Sequence, residues 1–265
     1  MLSQNVRFDL LGALRFRTDA GAHAVRGPQI TKILSLLALA AGRSVDTEAL
    51  VDELWPGSAP ARAIGTLRTH VYHLRRLLTG LGAPGAELVR TEPSGYVLDV
   101  APEQVDALRF EQLAARARML LAAGQSADAA AAARSGLALW RGSALAGVPL
   151  GRRLEGHARR LDELHRQTVR VSVDAELALG RHEELLPALR ELVAHHPYDE
   201  GLHASLIEVL RRCDRRADAL RAYRDLRTTL EGELGVAPSP RLLSLRGSIL
   251  ADAAAVPDRW LTAVS

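Results

Sequence analysis

Pro60-Ala61-Arg62-Ala63-Ile64-Gly65-Thr66-Leu67-Arg68-Thr69-His70-Val71-Tyr72-His73-Leu74-Arg75-Arg76-Leu77-Leu78 decides how the rest of the chain is read. Ile64, Leu67, Val71, Leu74 and Leu78 recur at three- and four-residue steps, which predicts an amphipathic helix over 60–80 with these residues on its apolar face. At about 100° per residue, Arg62, Thr66, Thr69, His73 and Arg76 fall on the opposite face, bordered by Tyr72 and Gly65. No acidic residue occurs between Pro60 and Ala86. A solvated helix usually mixes charge signs along its polar face. This one carries cations, hydroxyls and aromatic rings, groups that suit phosphates and base edges in a major groove. An ordinary solvated, Arg-rich helix would account for the same residues, so the flanking sequence has to decide.

Upstream, Val6-Arg7-Phe8-Asp9-Leu10 alternates as a strand does, Gly12 supplies a turn, and Ala13–Phe16 forms the partner; Ala24-Val25-Arg26 suggests a third short strand. Gly27-Pro28 opens a helix over Gln29–Ala41 that Gly42 closes. Asp46 or Thr47 caps a second helix ending at Leu54-Trp55-Pro56, and Gly57-Ser58-Ala59-Pro60 turns the chain into the 60–80 helix. Glu87–Thr91 and Tyr96–Val100 read as two strands joined by Glu92-Pro93-Ser94-Gly95. Strands, three helices and a hairpin are the layout of a winged helix with an N-terminal sheet. Ala101-Pro102 is a short linker.

Beyond it nearly every segment reads as helix. Gly180–Leu189 recurs 34 positions later as Asp214–Tyr223, and Gly124–Ala130 resembles the same turn and helix start. That interval is the tetratricopeptide period. Stacked helix pairs are expected, with small Ala188 and Ala222 allowing close approach and Pro197 and Pro238 ending units. Such stacks offer surfaces to protein partners. The predicted fold class is therefore mainly α with a small β component.

Length and composition agree. The 265 residues allow two ordinary domains, and 48% apolar content is enough for packed cores. The net charge of +3 is unevenly placed: residues 1–98 hold 11 basic and 8 acidic residues, and the remainder 23 of each. A single cysteine, Cys213, excludes an internal disulfide and a cysteine-based zinc site, and reads as a small buried residue. No run approaches 18 apolar residues and no secretory signal opens the chain, so a cytoplasmic protein without membrane contact is expected. His157, His165, His182 and His203 show no metal-ligand pairing, His195 and His196 point in different directions, and no glycine-rich phosphate loop is present. Neither catalysis nor a cofactor or metal is expected.

The Leu-Trp-Pro after the second helix, the Thr66–Leu78 helix and the Ser94-Gly95-Tyr96-Val97-Leu98 strand resemble an OmpR/PhoB-type DNA-binding domain, in the version carried by the Streptomyces antibiotic regulatory protein (SARP) family. Val105–Phe110, Leu137–Gly142, Leu179–His182, His196–Glu200, Ala219–Tyr223 and Glu233–Pro238 resemble successive blocks of that family's bacterial transcriptional activation domain. The resemblance covers about residues 5–252 and divides the chain into a winged-helix domain at 1–100, an activation domain at 103–252 and a tail at 253–265. It implies a transcriptional activator of a secondary-metabolite (antibiotic) gene cluster. It also implies binding of promoter DNA as a dimer on direct repeats near the −35 region, and contact with RNA polymerase including its principal sigma factor. Because the chain ends at Ser265, it resembles the small form without an appended nucleotide-binding or phosphothreonine-reading domain.

On that fold the 60–80 helix enters the major groove. Its candidate contacts are Arg62, Thr66, Thr69, His73 and Arg76, to which the resemblance adds His70 and Tyr72. Arg68 and Arg75 lie nearer the flank, where a phosphate contact competes with a salt bridge to Glu48, Asp52 or Glu53. In the hairpin, Arg90, Thr91 and Ser94 are placed to reach a minor groove, whereas Tyr96 belongs to the core. Lys32 and Arg26 are candidate phosphate anchors, with a plain solvated charge as the alternative. Two other classes remain to be weighed: a tetratricopeptide adaptor whose winged domain binds protein, and an enzyme, which would need a cluster of ionisable groups.

Overall fold

A computed structural model describes residues 6–254. The chain forms two compact units, one running up to Met119 together with Ala131–Val169, the other comprising Leu120–Ala130 and the chain from Arg170 onward.

The first unit begins with strands β1 (Arg7–Asp9), β2 (Arg15–Thr18) and β3 (Gly21–Ala24), an antiparallel meander with Phe8 opposite Phe16. The third strand lies a few residues before the one expected at Ala24–Arg26. Helix α1 (Pro28–Leu39) is buried without a break from Thr31 to Leu39, which includes Lys32 and Ser35 as well as the apolar residues. Strand β4 (Val45–Asp46) precedes α2 (Thr47–Leu54), and α3 (Ala63–Gly80) follows the turn. A short helix, α4 (Gly85–Leu88), occupies the start of the segment expected to be extended; strands β5 (Val89–Thr91) and β6 (Gly95–Leu98) complete the hairpin. The second sheet has the order β4-β6-β5. The two residues of β4 escape sequence reading because their partner, β6, lies about fifty positions downstream. This is a winged helix-turn-helix with an N-terminal sheet.

The compact units do not part at Ala101-Pro102, where the sequence suggests a linker. A 3₁₀ turn (Pro102–Gln104) leads into α5 (Asp106–Ala122), α6 (Ser126–Leu137) and α7 (Arg152–Ala178). Val105, Ala107, Phe110, Leu145, Val148, Leu154 and Leu161 share one core with Phe8, Leu34, Leu67 and Leu98. Two buried carboxylates reinforce that continuity. Asp106 accepts from the amides of Leu10 (2.6 Å) and Leu11 (3.1 Å) and pairs with the Arg141 guanidinium. Glu53, only 1% exposed, accepts from the amides of Gly151 (2.6 Å), Arg153 (2.9 Å) and Leu154 (3.4 Å), the orphan donors at the start of α7.

The second unit contains α8 (His182–His195), α9 (Glu200–Arg212), α10 (Arg216–Thr229), a π turn (Leu230–Leu234) and α11 (Pro240–Ala254). Helices α8 and α10 start 34 residues apart, the interval seen in the sequence. The turn before each is the same: Gly180 (φ 76°) and Asp214 (φ 55°) are left-handed, and the next amide, of Arg181 or Arg215, donates to the carbonyl of Glu176 or Leu210. Gly124 (φ 74°) before α6 repeats it, with Gln125 donating to Leu120. This six-to-one bond is the Schellman cap, which satisfies carbonyls left over at a helix end. The same cap before α8 and α10 at an interval of 34 residues makes the pair a tetratricopeptide-like repeat. Asp199 caps α9, accepting from the amides of Gly201 and Leu202. Cys213 is half-buried rather than fully enclosed. The tail assigned to 253–265 begins inside α11, and from residue 255 it lies outside the described residues.

Candidate nucleic-acid interface

Helix α3 buries Ala63, Leu67, Val71, Leu74 and Leu78. Ile64, expected on that apolar face, is instead 53% exposed. It lies in the first turn, about 60° off the core-facing direction, at the edge of the buried face that Ala63 and Leu67 share. The helix also starts at Ala63, not Pro60, so Arg62 stands at its N-cap and projects from the entrance.

The opposite face is open. Arg62, Thr69, Tyr72, His73 and Arg76 are exposed, and Thr66 and His70 are half-exposed. Arg62, Arg68 and Arg76 form no ion pair among the described residues, so the alternative of a salt bridge from Arg68 to the preceding helix is not realised. The Thr66 and Thr69 hydroxyls each donate to the carbonyl four residues back, Arg62 and Gly65, at 3.2 Å. That bond uses the one hydroxyl proton and leaves the oxygen able to accept. The Tyr72 ring, 55% exposed, stands 5.7 Å edge-on from the His73 ring. Burial, and then the neighbouring His73, hold the His70 imidazole below its ordinary pKa. It is therefore neutral near pH 7, able to donate from one nitrogen and accept at the other.

The hairpin places Arg90, Thr91 and Ser94 on the surface. Arg90 lies 3.4 Å from Asp99, with half its side chain exposed. Tyr96 is buried, as expected of a core residue. Gly95 is required by contact rather than by torsion: a Cβ there would lie 1.9 Å from the Val45 carbonyl oxygen, so β4 can pair with β6 only across a glycine. Ser94 contributes its carbonyl, which accepts from the Thr47 amide and hydroxyl and ties the hairpin to the start of α2.

Two candidates are occupied internally. Lys32 is 7% exposed and its ammonium donates to the Glu53 carbonyl at 2.9 Å. It is not a phosphate anchor: the α1 face that looked partly solvated is packed on all sides, and the charge is taken up by a backbone oxygen near the end of α2. Arg26 does stay exposed. Arg75 turns to the hairpin instead of to Glu48, Asp52 or Glu53: its Nε donates to the Val89 carbonyl at 2.7 Å and its Nη2 to the Thr91 hydroxyl at 2.9 Å. Sequence spacing gives no sign of either bond, since both partners are distant in the chain.

Residues 25–98 match the family of C-terminal domains of transcriptional regulatory proteins, and residues 105–250 match the bacterial transcriptional activator domain. Over 224 residues the chain is 42% identical to the regulatory protein DnrI of Streptomyces peucetius, covering 83% of this chain and 82% of that protein. The chain belongs to the Streptomyces antibiotic regulatory protein family. This SARP is also 32% identical to the transcriptional regulator RedD of Streptomyces coelicolor (93% and 71% covered). It is 34% identical to the regulatory protein AfsR of Streptomyces griseus, of which it spans only 24%. A solved structure of Mycobacterium tuberculosis EmbR, in complex with a low affinity phosphopeptide, superposes with a TM-score of 0.84 at 31% identity, covering 94% of the SARP and 65% of EmbR. The SARP is thus a transcriptional regulator in which a winged helix-turn-helix domain is followed by an all-α, tetratricopeptide-like domain. Among its described residues, no helix is long and apolar enough to cross a membrane.

Proposed function

We propose that this protein is a cytoplasmic, sequence-specific activator that lays α3 in the major groove of promoter DNA and sets the β5–β6 wing against the adjacent minor groove. The observation that carries this reading is the outward face of α3. It carries the guanidinium groups of Arg62 and Arg76, which form no ion pair among the described residues, with two threonines, two histidines and a tyrosine, and the helix has no carboxylate. Arginine forks onto guanine, threonine methyls pack on thymine methyls, and a neutral imidazole bonds to a base edge or phosphate. Arg62, Thr66, Thr69, His70, Tyr72, His73 and Arg76 form the major-groove set, and Arg90 and Ser94 the wing set.

Family membership supports the finer statement. Two molecules bind direct repeats near the −35 region, and residues 103–252 serve as the activation domain that brings in RNA polymerase with its principal sigma factor. The genes controlled form a secondary-metabolite (antibiotic) cluster. Nuclease footprinting on the promoters flanking the protein's own gene tests this, repeated with Arg62→Ala/Arg76→Ala. The expected result is a protected stretch containing two same-direction repeats, lost in the double variant. Removing two phosphate- or base-directed cations should also lower the slope of log affinity against log salt by about 2. An inverted repeat would refute the head-to-tail arrangement. No protection at low salt would refute DNA binding and favour a protein-binding adaptor.

A further inference from the structure

The bond pair from Arg75 joins the two DNA-directed elements to each other. Arg75 lies on the flank of α3 about 80° from the core-facing direction, toward the hairpin. Its guanidinium forks onto β5, taking the Val89 carbonyl and the Thr91 hydroxyl. β5 is the edge strand of its sheet, and Val89 finds in Arg75 the donor that a further strand would have supplied. The main chain at the same residue is clamped as well. The Arg75 carbonyl accepts from the Thr79 hydroxyl at 3.0 Å, and Gly85 packs so tightly on it that a Cβ would come within 2.1 Å. One residue of α3 is therefore fixed on one side by α4 and on the other by β5.

We infer that Arg75, with Thr91 as its partner, is a positioning residue that sets the distance between recognition helix and wing, and that neither group touches DNA. The inference rests on the reading that α3 and the wing both engage the duplex. A guanidinium whose Nε and Nη2 serve a strand edge and a hydroxyl at once has that side of its fork committed to the protein. A fork of fixed geometry also holds two elements in register in a way that a single flexible ammonium cannot.

The test compares Arg75→Ala, Arg75→Lys, Thr91→Val and, as a true cation contact, Arg76→Ala. All are assayed on the operator that footprinting defines. Three readings are taken: affinity across a salt series, hydroxyl-radical protection in the minor groove, and dimethyl-sulfate protection of guanine N7 in the major groove. For Arg75→Ala the expected result is an affinity loss of about ten-fold, the scale of one charge-assisted hydrogen bond. Its salt slope should be unchanged, the wing's minor-groove protection lost and the N7 protection kept. Arg75→Lys should behave like the alanine variant despite keeping its charge. Thr91→Val should lose about three-fold with an unchanged slope, about half the free energy of the whole fork. Arg76→Ala should lower the slope by about 0.9 and leave the wing protection in place. A slope lowered by about 0.9 in Arg75→Ala with wing protection intact would overturn the inference, as would wild-type behaviour in Arg75→Lys. Thr91→Val removes one hydroxyl from an exposed position and keeps the comparison valid if Arg75→Ala misfolds. Absence of binding by the unaltered protein would overturn the interface reading itself, and is recognised before any variant is compared.

Discussion

Replacing Glu53 by Gln should destabilise the first unit by about 2–4 kcal/mol while changing the shape of the side chain hardly at all. The carboxylate is buried and meets three amides of the opening turn of α7, one on Oε1 and two on Oε2. A glutamine amide keeps one acceptor oxygen, so the bond to Gly151 can survive. Its NH2 group then faces the amides of Arg153 and Leu154, donor against donor. Hydrogen bonds to a charged acceptor contribute about 1.5–3 kcal/mol, and an anion at a helix N-terminus up to about 2 kcal/mol more; the contact to Leu154, at 3.4 Å, is long and adds little. The range quoted is the loss of one good charged bond plus the terminus effect. Urea unfolding followed by the fluorescence of Trp55 and Trp140, both in the first unit, measures it. The midpoint should move to lower urea with an unchanged slope, and hydrogen exchange should quicken at Arg153 and Leu154. A shift worth less than about 0.5 kcal/mol would refute the reasoning, because the three amides would then be equally well served by water.

Asp214→Gly should stabilise the second unit by roughly 0.5–1 kcal/mol, since a left-handed cap position strains any side chain; a rise in melting temperature checks this. Gly95→Ala should cost at least about 2 kcal/mol and pull β4 from β6, read as faster exchange of the β6 amides together with weaker operator binding. In the free protein His70 is held below its usual pKa by burial and by His73, and a nearby phosphate would raise it. Binding then takes up a proton, so operator affinity should increase as pH falls, with His70→Asn flattening the dependence.

The parts legible in the sequence are those set by near neighbours. The periodicity of Leu67, Val71, Leu74 and Leu78 finds α3 to within three residues, and the recurrence at 34 finds the starts of α8 and α10. The acid-free run from Pro60 to Ala86 singles out the face that the fold leaves open. What stays hidden depends on residues far apart in the chain. Lys32 looks like a surface cation until α2 is packed over it, and Arg75 looks like one until β5 arrives 14 residues later. Ile64 fits the apolar period but sits at the edge of the buried face and stays half exposed, because a helix wheel does not record how wide a stripe the neighbouring elements cover. Glu53 is the extreme case: the helical period sets it beside Leu50 and Leu54 and Glu48 on the opposite side, but the amides it serves lie about one hundred residues away.

The ties made by Glu53 and Asp106 bear on how hybrid regulators should be spliced. A graft joined at Ala101-Pro102 would set a donor's Glu53 against a recipient's α7, and a recipient's Asp106 against a donor's Leu10 and Leu11, leaving five acceptor–donor bonds to chance complementarity. A transplant carrying the donor's residues through the start of α7 would keep each bond within one parent. The operator preference of such a hybrid would travel with a piece of the chain half as long again as the winged helix alone.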